Sequence, residues 1–349
     1  MANNQELGSK TIILYGDSGV GKSLNAAFFA RLMYEWYGRP VGLACAEGSS
    51  RVHFQPLIEA KIVYPLWLRA DRSLSILRRL RKGAWPVERA DGSLEWHSFD
   101  WTGPNAPCAF IGEGLGSISD LFMENMRANG YLPPSSQEGK GQFDEDGEHF
   151  QVSSRANYMK AQEEILFTIR DIDALPFKRV LWTAHEYKGK EEGGDTILGP
   201  GLAGRARTPD VPKYCSTCLH FETYPTTVHQ TDPETGLDMP VIRSKRRIWW
   251  MRHPDPRSGI EYPAKVTLAG DKLAHLYEQF PGGYFEPGLE YGTGLDKFLK
   301  AEAALVGGSA ADILKWKEGV DNGRKSNTAD SGADAKVARG GGDGSPADK

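Results

Sequence analysis

Cysteine is scarce in this chain. Four residues out of 349, Cys45, Cys108, Cys215 and Cys218, are too few and too scattered for a disulfide framework in a chain this long. Long apolar runs are lacking as well: none reaches the ~18 consecutive apolar residues of a membrane span, so no membrane partner is expected. The first residues, MANNQE, lack the charged-then-apolar pattern of a secretory leader, and a cytoplasmic location is the expectation. There is little excess charge of either sign, with 42 basic and 46 acidic residues and a formal net charge of −4. That balance excludes wholesale electrostatic capture of nucleic acid and leaves only local basic stripes for such a role. The length suits one large α/β core with extensions, or two domains.

Metal-ligand spacing is almost missing too. Cys215-Ser-Thr-Cys218-Leu-His220 invites a zinc reading, but the segment reads as a strand, and an offset of three places the two sulfurs on opposite faces. With no second ligand pair elsewhere, structural cysteines and no zinc are expected.

What is present is concentrated near the amino end. GDSGVGKS, residues 16–23, follows the apolar run TIILY and leads into LNAAFFA, which is the strand, glycine loop and helix order of a phosphate-binding loop. Gly16, Gly19 and Gly21, with Asp17, Ser18 and Val20 between them, turn the backbone N–H groups inward. The helix opening at Lys22, Ser23 and Leu24 adds its positive dipole end, so an anion is cradled. Lys22 is expected on the β- and γ-phosphates of a nucleotide, ATP, and the Ser23 hydroxyl on Mg²⁺.

Further along, apolar strands alternate with helical periodicity: strands at 11–15, 41–45, 62–68, 106–112 and 179–184, and helices at about 22–37, 73–82, 117–128 and 155–174. Such alternation specifies an α/β fold with a mostly parallel central sheet flanked by helices. In the helix at 73–82 the basic side, Arg78, Arg79, Arg81 and Lys82, reads as a solvated face. A hairpin insertion is expected over about 83–105, around Asp91-Gly92, and a long loop over about 130–153, acidic at 138–149. After residue 187 the pattern changes to short strands and turns, a β-rich carboxyl-terminal extension. The expected organisation is a domain over 1–290, a helical segment over 291–318, and a disordered tail over 319–349 that is rich in Gly, Ala, Ser and Asp.

In open α/β sheets the ligand lies beyond the carboxyl ends of the strands, so acids that close a strand are the ones to inspect. Glu113 closes the strand at 106–112 and is placed to hold Mg²⁺ through its water shell. Glu47 follows VGLACA and is placed to orient the attacking water as base, although a strand-ending acid also suits a turn. His185 closes the strand at 179–184, either as a sensor of the γ-phosphate or as a simple hydrogen-bonded strand end. The segment Gly189–Pro200 reads as a glycine-rich mobile loop.

These motifs together, GDSGVGKS, ACAEGS, FIGEGLGSISDLF, LWTAHE and GPGLAGRA, resemble the RecA-like P-loop ATPases, and among them bacteriophage nucleotide-binding proteins related to single-strand annealing and recombination factors. The resemblance runs over about residues 8–290. It implies Glu47 as catalytic glutamate, Glu113 as the Mg²⁺-holding acid, His185 as polar sensor, and the loop 187–212 in the place of the segment that contacts single-stranded DNA. It also implies a homo-oligomer, ring or filament, acting in a host cytoplasm if the chain is phage-encoded. Such families insert a Lys and an Arg from a neighbouring subunit; here Lys265 fits, Thr267 stands where the Arg would be, and Arg252 is a substitute, as are Arg246 and Arg205.

For single-stranded DNA the sequence offers Arg205, Arg207 and Lys213, and the basic run Arg243-Ser-Lys245-Arg246-Arg247 before Ile248-Trp249-Trp250, cations next to aromatics as phosphate neutralisation and base stacking require. The alternative is a hairpin strand whose tryptophans lie in the core. The leading expectation is therefore an ATPase coupled to single-stranded DNA. The alternatives are an assembly or partner-remodelling ATPase and, on Asp71-Arg72-Ser73, a nucleotide kinase.

Overall fold

The computed structural model describes residues 10–70, 73–82, 84–88, 93–98, 103–128, 142–143, 149–150, 155–190, 196–202, 208–232, 236–268 and 270–304. In chain order the elements begin with β1 (Thr11–Gly16), α1 (Lys22–Tyr37), β2 (Val41–Cys45), α2 (Arg51–Glu59), β3 (Val63–Trp67), α3 (Ser73–Leu80), β4 (Ala84–Glu88) and β5 (Leu94–Ser98). Next come β6 (Ala109–Glu113), α4 (Leu115–Ala128), β7 (Gln142–Phe143), β8 (His149–Phe150), α5 (Arg155–Ala174), β9 (Arg179–Lys190) and β10 (Thr196–Pro200). The chain continues with β11 (Thr217–Thr231), β12 (Asp238–Trp249), β13 (His253–Pro254), β14 (Glu261–Tyr262), β15 (Lys265–Val266), α6 (Gly270–Gln279), β16 (Tyr284–Phe285) and α7 (Gly294–Ala304).

The sheet runs β16-β12-β11-β1-β9-β6-β2-β3. From β11 to β3 all neighbours are parallel, and β12, β16, β15 and β10 attach antiparallel. This is the expected α/β architecture: a mostly parallel sheet flanked by helices, with a β-rich extension on one side. Successive residues of a strand face opposite sides, and the core divides accordingly. Ile13, Tyr15, Phe110, Val180 and Trp182 pack against Ile76 and Leu77 of α3, Ile118 and Phe122 of α4, and Ile165 and Ile169 of α5. Ile12, Leu14, Leu43, Ile111 and Leu181 pack against Phe28 and Phe29 of α1, Phe54 of α2, Leu276 of α6 and Phe298 of α7. The continuous apolar strands of the sequence are apolar because both faces are covered.

Several expectations are corrected. Within the segment expected to be helical over 291–318, α7 buries Leu295, Phe298 and Leu299 in the same core as α1 and α6. The tail expected over 319–349 lies outside the described residues, as does most of the acidic loop 138–149. Arg81 is not on a solvated face. It bonds the backbone carbonyl of Glu164 and the Thr168 hydroxyl of α5 and pairs with the Glu164 carboxylate, which Arg78 also binds, at 3.0 Å. The mobile loop expected over Gly189–Pro200 is largely a hairpin, since β9 runs on to Lys190 and pairs with β10, Glu186 opposite Pro200 and Gly189 opposite Ile197. Ile197 and Leu198 are buried, which is why this segment is held against the sheet. Its tip, 191–195, is outside the described residues.

Cys215 and Cys218 do not lie on opposite faces of one strand. β11 starts only at Thr217, so Cys215 sits in the preceding turn and both thiols lie unbridged in the same buried cluster. Burial pushes the pKa of Cys215 up to about 12 and holds that of Cys218 well above the ordinary thiol value. Among the described residues no helix is long and apolar enough to cross a membrane.

Candidate functional site at the carboxyl ends of the parallel strands

The glycine loop joins β1 to α1. Gly21, with φ of 107°, caps the helix in a left-handed conformation that an L side chain rarely adopts, and α1 starts at once with Lys22 and Ser23. The amino end of a helix this long, whose first backbone N–H groups lack intrahelical partners, is built for an anion. Lys22 is 8% exposed and donates to the carbonyls of Gly16 (2.9 Å) and Asp17 (2.7 Å). Burial lowers its pKa, and Glu113 and Glu47 pull it back up.

Parallel pairing brings the neighbouring strand ends level with the loop: His185 of β9 lies opposite Gly16, and Glu113 of β6 opposite Cys45 of β2. Alternation then turns Ile111 and Glu113, and likewise Leu181, Thr183 and His185, toward the α1 side. Glu113 is 1% exposed. Its Oε1 accepts from Ser23 Oγ at 2.5 Å and Ser50 Oγ at 3.0 Å, and its Oε2 from Thr183 Oγ1 at 2.7 Å. Desolvation raises its pKa against the pull of these three hydroxyls.

Glu47, just past β2, faces the same space. Its Oε1 lies 3.3 Å from His185 Nε2 and accepts from Ser117 Oγ at 3.1 Å. The hydrogen bond from His185 is the main reason that its pKa lies below the ordinary carboxylate value. Gly114, with φ of 79°, makes room for it, since a side chain there would begin 2.5 Å from Glu47 Oε1.

A cavity of about 450 Å³ opens over this group, lined by Ser18, Gly19, Gly21, Lys22, Ser23, Leu24, Glu47, Glu113 and His185. Lys22, Ser23, Glu47, Glu113 and His185 are thus brought together from four separate stretches of chain. Sequence reasoning missed Thr183, Ser50, Ser117 and His53, the last also lining the cavity. A threonine inside the apolar run LWTA was a visible signal. Ser50 and His53 arrive on the turn before α2 and on α2 itself, a short helix with Pro56 inside it.

The donors are hard oxygens, a hydroxyl and a carboxylate within hydrogen-bond distance of each other, which suits Mg²⁺. Among the described residues no group of three or more His, Cys, Asp or Glu side chains forms a metal cage.

The other sequence candidates lie elsewhere or differ. Arg252 is exposed and 3.7 Å from Glu261; Lys265 sits on β15, opposite Cys218. Neither lines the cavity. Lys213 pairs with Asp210 at 2.6 Å, and Arg205, Arg207, Asp71 and Arg72 lie outside the described residues. Arg247 is held by Glu222 at 2.8 Å and lies over the rings of Tyr224, Trp249 and Tyr284. Trp249 stacks on His253, and Trp250 is buried. Arg246 lines the cavity instead of standing beside Arg247.

No family model matches the chain, and no curated protein does. A crystal structure of a KaiC-like protein from the hyperthermophilic archaeon Pyrococcus horikoshii OT3 is similar over 73% of this chain and 89% of that one, at 13% identity and a TM-score of 0.34.

Proposed function

We propose that this chain binds ATP with Mg²⁺ on the glycine loop and hydrolyses it to ADP and phosphate. The observation that carries the reading is the convergence of Lys22, Ser23, Glu113, Glu47 and His185 on one cavity at the strand ends. Lys22 exchanges the carbonyls of Gly16 and Asp17 for the β- and γ-phosphates, and the loop N–H groups take the remaining oxygens. Ser23 and Glu113 are the residues that would hold Mg²⁺, which supplies neutralisation of phosphate charge. Glu47, kept ionised by His185 and Ser117, accepts the proton of the water that attacks the γ-phosphorus as the bond to the β,γ-bridging oxygen breaks. His185, touching Glu47, senses whether the γ-phosphate is present.

The test is steady-state phosphate release. Lys22→Ala is expected to lower turnover by at least about 100-fold and to weaken nucleotide binding. Glu47→Gln is expected to lower turnover on the same scale with binding retained. Full turnover in either variant would contradict the roles given.

For the ligand that couples to turnover we infer single-stranded DNA, acting on an oligomer. In support, β9 runs unbroken from Thr183 and His185 into the β9–β10 hairpin, and Arg243 and Lys245 are exposed on β12. A titration at low salt, where phosphate contacts are strongest, is expected to raise hydrolysis. A second reading, a partner-remodelling ATPase, is favoured by Leu237, Met239 and Ile242, apolar and exposed at the far end of the β11–β12 ribbon. Unchanged turnover across the DNA titration would overturn the DNA reading and leave the second one to be tested by capture of a protein partner.

A further inference from the structure

We infer that Arg246 is a phosphate-neutralising cation supplied to the glycine loop by the same chain. The inference rests on the ATPase reading above and deepens it.

The placement follows from register. Gly16, the last residue of β1, lies opposite Phe221 of β11, and Phe221 opposite Ile248 of β12. Because β12 runs antiparallel, Arg246, opposite Thr223, lies two residues further out, on the side where the glycine loop leaves the sheet. A two-residue step keeps the same face. Ile248 is buried on the α1 side of the core, so Arg246 projects to the α1 side as well, while Arg247 projects the other way to Glu222.

Contacts agree with the register. Arg246 Nη2 donates to the Gly19 carbonyl at 3.4 Å, and Nη1 lies 3.6 Å from where a side chain at Gly21 would begin. Among the described residues Arg246 forms no ion pair, whereas Arg247 is fully engaged. A guanidinium within reach of a loop built for a polyphosphate, and holding only one long bond to a carbonyl, is placed to exchange that bond for two to phosphate oxygens. Lys22 and Arg246 both line the cavity over the loop. Charge developing on the transferring phosphoryl group is what such a cation stabilises.

The experiment compares wild type, Arg246→Ala and Arg246→Lys for phosphate release and for ADP binding, then mixes Arg246→Ala with Lys22→Ala. Arg246→Ala is expected to lower kcat by about 100- to 1,000-fold and to change ADP affinity far less. Arg246→Lys, which keeps the charge but not the fork, is expected in between. The side chain is exposed, so unchanged melting of Arg246→Ala should exclude misfolding. If the arginine acts within its own chain, the mixture recovers no activity; recovery would show a residue acting across subunits and overturn the inference. Wild-type turnover with an unimpaired Arg246→Ala would also overturn it and leave the ATPase reading standing. Absence of any wild-type turnover would instead remove the ATPase reading itself.

Discussion

Glu113 is where the chemistry of single residues is most exposed to test. Its carboxyl is almost completely buried and its pKa is raised, so ionising it disfavours the folded chain. For such a group stability falls as pH rises from the unfolded carboxyl value of about 4.3 through the raised folded value. Glu113→Gln removes that penalty. Melting of the nucleotide-free protein without Mg²⁺, followed from pH 4 to 8, is expected to move in the variant's favour as pH rises; a difference independent of pH would contradict the buried, raised carboxyl. Glu113, Glu47, Lys22 and Ser23 were legible from sequence because each is tied to a local signal, a glycine loop or an acid closing an apolar run. Ser50 was not, and Thr183 and Arg246 were only partly, one as a polar residue inside an apolar run and the other as one of several substitute arginines, because what places them is pairing between strands far apart in the chain. Arg246 is the sharpest case: the sequence offers it both as a substitute arginine and in a basic run with Arg247, and only the registers β1 to β11 and β11 to β12 reveal that the two face opposite sides.

The parallel strands set the depth at which those side chains end, and small residues inside them let the sheet and its aromatic packing coexist. Gly112 on β6 is one. A side chain there would begin 2.1 Å from the Trp182 ring of β9, one strand over and directly opposite. Gly112→Ala is therefore expected to cost about 1–3 kcal/mol or more by overpacking, read as a lower urea midpoint with an unchanged slope; an unaltered midpoint would mean that Trp182 moves aside easily. Strands β1, β2, β6 and β9 could be read from sequence since burial on both faces demands uninterrupted apolar runs. The course of β9 beyond Glu186 could not, since its partner β10 is polar or glycine-rich at the turn and is held by Ile197 and Leu198 packing on the sheet. α2 was missed for a different reason: Phe54, Leu57 and Ile58 do stand at helical spacing on the core, but the stretch is only nine residues long and carries Pro56 inside it.

Across the whole of the described residues, α7, the last element, is tied to the centre of the sheet. Glu302 accepts from Arg179 of β9 at 2.7 Å and from Thr217 of β11 at 3.0 Å, with Arg179 and Glu302 both inaccessible to solvent. Removing one partner of a buried pair is strongly destabilising, by about 3–5 kcal/mol. Glu302→Ala and truncation after residue 292 are both expected to lower the melting temperature sharply, whereas truncation after Gly307 is expected to leave melting and phosphate release intact. Equal stability of the two truncations would contradict the role given to α7. That packing was hidden in the sequence, where a boundary at 290 looked natural because short strands and turns precede it. The glycine loop remains the feature on which function depends, and calorimetric titration with Mg–ATP interrogates it without requiring turnover. Wild type should bind with one site per chain and Lys22→Ala should lose it; a wild type that gives no heat, or a variant that binds as tightly, would contradict nucleotide binding at this loop.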